Sequence, residues 1–419
     1  MKFKALIFAC LLLVTGCGEH EVEFVPSHLF RTIPSDAVEL MRFDRLDEGL
    51  TTLLDSSDVF RALDFGALSS SEMVLSYHYA VKLIPLLAVD ATSKTVSQFL
   101  LDKASELGLK TRTFGPSELG DGHSALLLST SETVLDAASE HVSAGQSIHS
   151  AKDFDKAALL SAGAPGSIFL KSEAASRFIP KTFLSEFIPR RNLVSSVKNL
   201  SSWTVLNVFE DSERCSYDIR FVAEDDRCFA TVLGRLPGGD CHLANVLPEE
   251  ADWCVDIPLS SLSAYTEAYD NFLDAQSVLT KRTKRRGELA RAAGKSPARW
   301  ASDYELREVA TIKWNNHKVN LVRPAVAPTP SEIVENRYAG FPAELFGSVF
   351  ALDDETCSAT YGEWIITGSH DDIAEFIDCF ARFALLRWPD KGTSFAIYTP
   401  GKIVYKDDTG VKLDVYTYN

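Results

Sequence analysis

Basic residues are scarce: 42 Lys and Arg stand against 58 Asp and Glu, a formal net charge of −16. A chain this acidic repels a phosphate backbone, so nucleic acid is excluded as a partner. Cysteine is sparse too, at 8 in 419 residues. Beyond residue 17 the cysteines are Cys215, Cys228, Cys241, Cys254, Cys357 and Cys379, and no two lie within the short separation of a zinc knuckle. Their even number leaves buried free thiols and three disulfides both open. After residue 16 no apolar run approaches the roughly 20 residues of a membrane helix.

Catalytic signatures are also missing. There is no Gly-x-Ser-x-Gly elbow, no His-Glu-x-x-His helix and no Gly-x-x-x-x-Gly-Lys-Ser/Thr phosphate loop. Ser195 and Lys198 have the Ser-x-x-Lys spacing of a penicillin-recognising nucleophile and base, but the companion Lys-Thr-Gly is absent. The nine histidines are scattered, and His78 between Tyr77 and Tyr79 reads as a strand residue. Asp225-Asp226 and Asp371-Asp372 fit a turn and a helix N-terminus better than a glycosidase pair. These patterns predict no catalytic residue, no cofactor and no metal ligand.

What is present begins at the N-terminus. Lys2 and Lys4 precede the apolar run 5–14, too short to span a bilayer and right for the h-region of an export signal. Val14-Thr15-Gly16-Cys17 follows: a branched aliphatic residue, a small residue, glycine, then cysteine. This is the pattern of a lipobox, in which the thiol carries the lipid and the small residues admit the peptidase. Residues 1–16 are therefore expected to be a lipoprotein signal peptide, with Cys17 lipidated. One acyl chain holds a protein only marginally, at about 0.8 kcal/mol per buried methylene, whereas the two or three of a lipoprotein, palmitate among them, hold stably. Residues 17–26, with Glu19, Glu21 and Glu23, read as an acidic tether.

The body, 46% hydrophobic, reads as an α+β fold. Internal similarity divides it into a first repeat over 27–240 and a second over 241–419. Ile33-Pro34-Ser35-Asp36-Ala37 matches Leu247-Pro248-Glu249-Glu250-Ala251, each followed by a strand and an amphipathic helix. The strand 127–130 with its capping Ser131 matches 365–368 with Ser369. Ser202-Trp203-Thr204-Val205 matches Ser394-Phe395-Ala396-Ile397 as the start of a hairpin. Strands are expected over 72–79, 81–87, 308–314 and 319–322, with hairpin turns at Asn315-Asn316-His317, Glu224-Asp225-Asp226 and 406–410. Regular βα alternation is absent, which predicts two halves of antiparallel sheet with helices packed on one face. A basic helical insertion near 281–307 carries Lys281, Arg282, Lys284, Arg285 and Arg286, a candidate binding patch for phosphate headgroups or an acidic partner.

The lipobox, the Ile-Pro-Ser-Asp-Ala opening at 33–37 and the strand-then-capped-helix unit at 127–141 together resemble uncharacterised Bacteroidetes-type lipoproteins. That resemblance implies attachment to the cell envelope, and Gly18 beside the anchor favours the outer membrane by similarity to enteric sorting. It carries no activity. The expected role is a lipid-anchored binding or scaffolding module with an envelope protein or glycan partner. The alternative is an envelope hydrolase whose site is assembled from residues remote in sequence.

Overall fold

The computed structural model describes residues 26–45, 60, 63, 68, 70–79, 82–120, 122–175, 199–211, 214–223, 225–235, 242–243, 246–248, 251–347, 350–352, 356–385, 395–399, 402–406 and 412–417. The signal segment, Cys17, all of the tether but its last residue, Ser195, Lys198 and the boundary at 240 lie outside these residues.

A 3-10 helix at His28–Thr32 opens the described chain and is capped by Ser27, whose Oγ accepts the Leu29 N–H. The first half supplies β1 (Glu39–Phe43), β2 (Met73–Tyr79), β3 (Leu83–Asp90), β4 (Lys110–Phe114), β5 (Ala125–Ser129), β6 (Gly166–Lys171), β7 (Trp203–Asp211) and β8 (Arg214–Val222). Its longer helices are α1 (Lys94–Leu107), α2 (Glu132–Ser143) and α3 (Phe154–Leu159). The second half supplies β9 (Ala251–Pro258), α4 (Leu262–Ala275), α5 (Leu279–Ala293), α6 (Pro297–Asp303), β10 (Glu308–Trp314), β11 (His317–Arg323) and β12 (Ser331–Glu335). It ends with α7 (Phe341–Phe346), β13 (Cys357–Tyr361), β14 (Trp364–Gly368), α8 (His370–Leu385), β15 (Phe395–Thr399), β16 (Lys402–Lys406) and β17 (Lys412–Thr417).

The α+β class holds. One sheet runs β15-β16-β17-β8-β7-β6-β1-β2-β3-β5-β4 and the other β12-β13-β14-β11-β10-β9. Among the described residues every strand pairing is antiparallel except β17 with β8, which is parallel and joins the C-terminal meander to the first half. The order β1-β2-β3-β5-β4 recurs as β9-β10-β11-β14-β13, and in each case a helix, α2 or α8, follows the last hairpin. β15 lies beside β9 as β6 lies beside β1. By this proximity β15 takes the place of β6 and not of β7. The match of Ser202–Val205 with Ser394–Ile397 is therefore displaced by one strand, because short strand motifs look alike locally.

Helices cover both faces of each sheet, not one. The reason lies in the strands: β1, β5 and β14 are buried at every position, and a sheet dry on both sides needs cover on both. On β1, Met41 and Phe43 join a core with Leu100 and Ala104 of α1, while Leu40 faces the other core with Leu135 of α2 and Phe154 of α3. In the second sheet Val309 packs with Tyr265 of α4 and Trp300 of α6, while Ala310 and Ile312 pack with Ile373 and Phe376 of α8.

The local signals mostly hold. Asn315 turns the β10–β11 hairpin with φ at +48°, a left-handed conformation that asparagine tolerates. Ser369 caps α8 by accepting the Asp372 N–H at 3.1 Å. In place of the expected hairpin at 224–226, residues 225 and 226 lead into a short helix, Phe229–Gly234: Asp225 accepts the Arg227 N–H at 2.8 Å and the Thr231 hydroxyl at 2.8 Å. Among the described residues no helix is long and apolar enough to cross a membrane.

One buried carboxylate ties the second half together. Glu308, with no exposed surface, faces Arg323 across the β10–β11 ladder and receives its Nε–H at 2.7 Å. Its other oxygen accepts the N–H groups of His242 and Leu243 at 2.8 and 2.9 Å. Removing one partner of a buried pair strands the other in low dielectric, so Glu308→Ala is expected to cost about 3–5 kcal/mol. Urea unfolding checks this; a loss below about 1 kcal/mol, the scale of an exposed pair, would contradict it.

Candidate functional site

The period-two alternation of strands brings four ionisable side chains to one end of the first sheet. Glu72 precedes β2, Asp90 ends β3, and His123 lies two residues before Ala125 of β5. Counted in twos from Val74, Ala88 and Ala125, all three project to the face that carries the 3-10 helix and therefore His28. The Asp90 N–H donates to the Glu72 carbonyl at 2.9 Å, so the two carboxylates are cross-strand neighbours. The turn carrying His123 is sharp, with Gly122 at φ +83°. It is pinned where Ser124 donates to Thr92 Oγ1 and accepts from the Ala91 N–H.

His28, Asp90 and His123 each bring a metal-ligating atom within 4.8 Å of the others. Nδ1 of His28 lies 3.5 Å from Glu72, and Nδ1 of His123 lies 4.0 Å from Asp90. The two imidazoles stack at 4.3 Å. Nε2 of His28 is buried without a hydrogen-bond partner. Glu72 in turn accepts the Arg42 Nε–H at 3.4 Å, and Arg42 also pairs with Asp44. His28 is 11% exposed at the side chain and His123 48%, so the cluster has a closed floor and an open side. The members of this group are remote from one another in sequence, so no short motif marks it.

At the opposite end of β2 a second constellation has the connectivity of a hydrolase triad. Ser76 Oγ lies 2.9 Å from Nε2 of His78, and Nδ1 of His78 lies 2.8 Å from Asp36. The bond from His78 holds the Asp36 carboxyl below its ordinary range. Ser76 and His78 share a face because they stand two apart on β2, as the strand expectation for His78 requires. The order of exposure is the reverse of a catalytic site: Ser76 is fully buried while Asp36 is open to solvent. The serine hydroxyl also reaches the Leu86 carbonyl at 3.3 Å. A substrate carbonyl has no route to that oxygen, and the chain serves to fasten the 34–37 turn to the sheet.

The five basic residues all lie on α5, and three of them pair with neighbouring helices, Arg285 doing so while largely exposed. Arg282 and Arg285 reach the fully buried Glu344 of α7 at 2.9 and 2.7 Å. Arg286 pairs with Asp270 of α4 at 2.8 Å and donates to the Glu344 carbonyl. These arginines staple α5 to α4 and α7, while Lys281, Lys284 and Arg285 keep exposed surface. A cleft of about 650 Å³ nearby is lined by residues 260–307 alone, among them Ser261, Thr266, Glu267 and Arg307. Cys228, Cys254, Cys357 and Cys379 are free thiols, and burial pushes that of Cys228 up to about 12.

No protein-family model matches this chain, no curated protein matches it, and no solved structure matches it.

One more titratable group stands out. Glu39, on the β1 face shared by Met41 and Phe43, is buried, and loss of hydration pushes its carboxyl up to about 7. A raised folded value means that the native state keeps a proton which the unfolded chain releases above its ordinary carboxylate range. Stability then falls as pH rises from about 4.5 to about 7, and levels off beyond. Glu39→Gln is expected to remove that slope and to raise stability at pH 8 by at most about 3 kcal/mol. Denaturant midpoints at pH 5 and pH 8 check this; an unchanged slope in the variant would contradict it.

Proposed function

We propose that this chain is a lipid-anchored protein of the cell envelope whose folded body works by binding or scaffolding, not by catalysis. The observation that carries the proposal is Val14-Thr15-Gly16-Cys17 placed directly after a basic and apolar leader. Export followed by acylation of Cys17 accounts for each of those residues, and two or more acyl chains make the attachment stable. The resemblance to Bacteroidetes-type lipoproteins supports a place in the cell envelope, and Gly18 beside the anchor favours the outer membrane, to which the acidic tether joins the body. An envelope protein or glycan is the partner class of such a module.

The preference for binding over hydrolysis is supported by the sealed Ser76, whose hydroxyl no substrate reaches. Two copies of one sheet unit within a chain suit a scaffold. The repeated strand order supports this duplication.

Membrane fractionation of cells fed a palmitate analogue tests the tether. The native protein is expected in the membrane fraction and labelled, whereas Cys17→Ala is expected unlabelled and either released or left as precursor. Cys17→Ala partitioning and labelling like the native chain would overturn the proposal. Protease shaving of intact cells then separates a surface partner from a periplasmic one.

A further inference from the structure

We propose that His28, Asp90 and His123, with Glu72 behind them, form a binding site for one divalent first-row transition metal ion. The site stands independently of the lipid anchor, since none of its residues belongs to the tether.

Charge supplies the first argument. Glu72 and Asp90 are cross-strand neighbours on one face, and like charges so placed repel. Arg42 answers one of them, but Asp44 lies against Arg42 and restores the negative excess. The two remaining groups are imidazoles stacked on each other. A divalent cation would answer the negative excess at that end of the sheet.

Donor chemistry supplies the second. Two imidazole nitrogens and a carboxylate oxygen suit zinc, cobalt, nickel or ferrous iron, whereas calcium and magnesium prefer all-oxygen shells. The open side at His123 leaves further positions for water or a ligand, unlike the closed shell of a structural zinc site.

The outer partners supply the third. Metal-bound histidines commonly direct their second ring nitrogen at a carboxylate, which sets the tautomer and the ring orientation. His28 faces Glu72 through Nδ1, and its Nε2 is buried with no hydrogen-bond partner. Glu72 is itself held by Arg42. In this arrangement Nε2 of His28 is the ligand atom, Glu72 and Arg42 position it, and the ion accepts the lone pair that no protein group receives. Asp90 is likewise held, because its Oδ1 accepts the Thr92 N–H at 2.9 Å.

The test uses the full chain in detergent, stripped of metal with a chelator and titrated with cobalt(II) under equilibrium dialysis. One ion per chain is expected, with visible d–d bands of a mixed nitrogen and oxygen shell that zinc abolishes by competition. His123→Ala is expected to weaken cobalt binding at least about tenfold, the minimum seen when even an outer partner is lost. The metal-free unfolding temperature of that variant should match the native chain, since His123 is half exposed. Asp90→Asn, which keeps an oxygen for the Thr92 cap, should weaken binding similarly. His149→Ala, which removes a histidine paired with Asp155 elsewhere, should leave binding unchanged. Absence of d–d bands, uptake well below one ion per chain, or unaltered binding in both His123→Ala and Asp90→Asn would overturn the proposal.

Discussion

Water reaches neither face of the central strands, and most of the architecture follows from that constraint. A strand buried on both sides cannot alternate apolar with polar residues, and β5 accordingly reads Ala125-Leu126-Leu127-Leu128-Ser129. Each of its residues must find a neighbour above or below the sheet. Leu126 and Leu128 find α1, and Ala125 and Leu127 find α2 and the 3-10 helix. The second sheet repeats the solution, with α4, α6 and α7 on one side of β10 and α8 on the other. Fully burying each such side chain contributes roughly 1.5–3 kcal/mol.

Two-sided burial makes polar groups inside costly, and several of the interior polar groups are tied by hydrogen bonds or ion pairs. Asn207 donates to the Leu160 carbonyl and accepts the Ser167 hydroxyl. Glu344 draws Arg282 and Arg285 from α5, converting what looks in sequence like a free basic patch into a set of internal ties. The Ser76-His78-Asp36 chain follows the same logic: a buried hydroxyl and imidazole find partners, and triad connectivity results without triad function. Connectivity alone is thus a poor guide to catalysis. Which member of the chain meets solvent decides it.

The histidine cluster obeys a different rule. It stands at the rim where β3 ends and β2 and β5 begin, and there the sheet no longer covers its polar groups. Loops at a sheet end can gather ligands from segments far apart while the strands hold them in register. His28 arrives on the 3-10 helix that packs against the sheet, and His123 on a glycine turn pinned to the 91–92 loop. The cluster is therefore a product of register: a one-residue slip in β3 would send Asp90 to the opposite face.

Local features were legible in the sequence because their causes are local. The Asn315 turn, the Ser369 cap and the strands 73–79 and 308–314 each depend on neighbouring residues, and the acidic excess depends on composition alone. The α+β class was legible for the same reason, since hydrophobic period and turn residues mark elements without knowledge of their packing. The repeated strand order was visible only in part, through Pro34 and Pro248 and through the units ending at Ser131 and Ser369. The match at Trp203 slipped by a strand because pairing partners leave no local mark. Only tertiary structure decided that helices would cover both faces, that Arg282, Arg285 and Arg286 would pair with α4 and α7, and that His28, Asp90 and His123 would meet. Each of these depends on which distant segments share a face, and that is settled by strand register and burial, quantities that no short window of sequence contains.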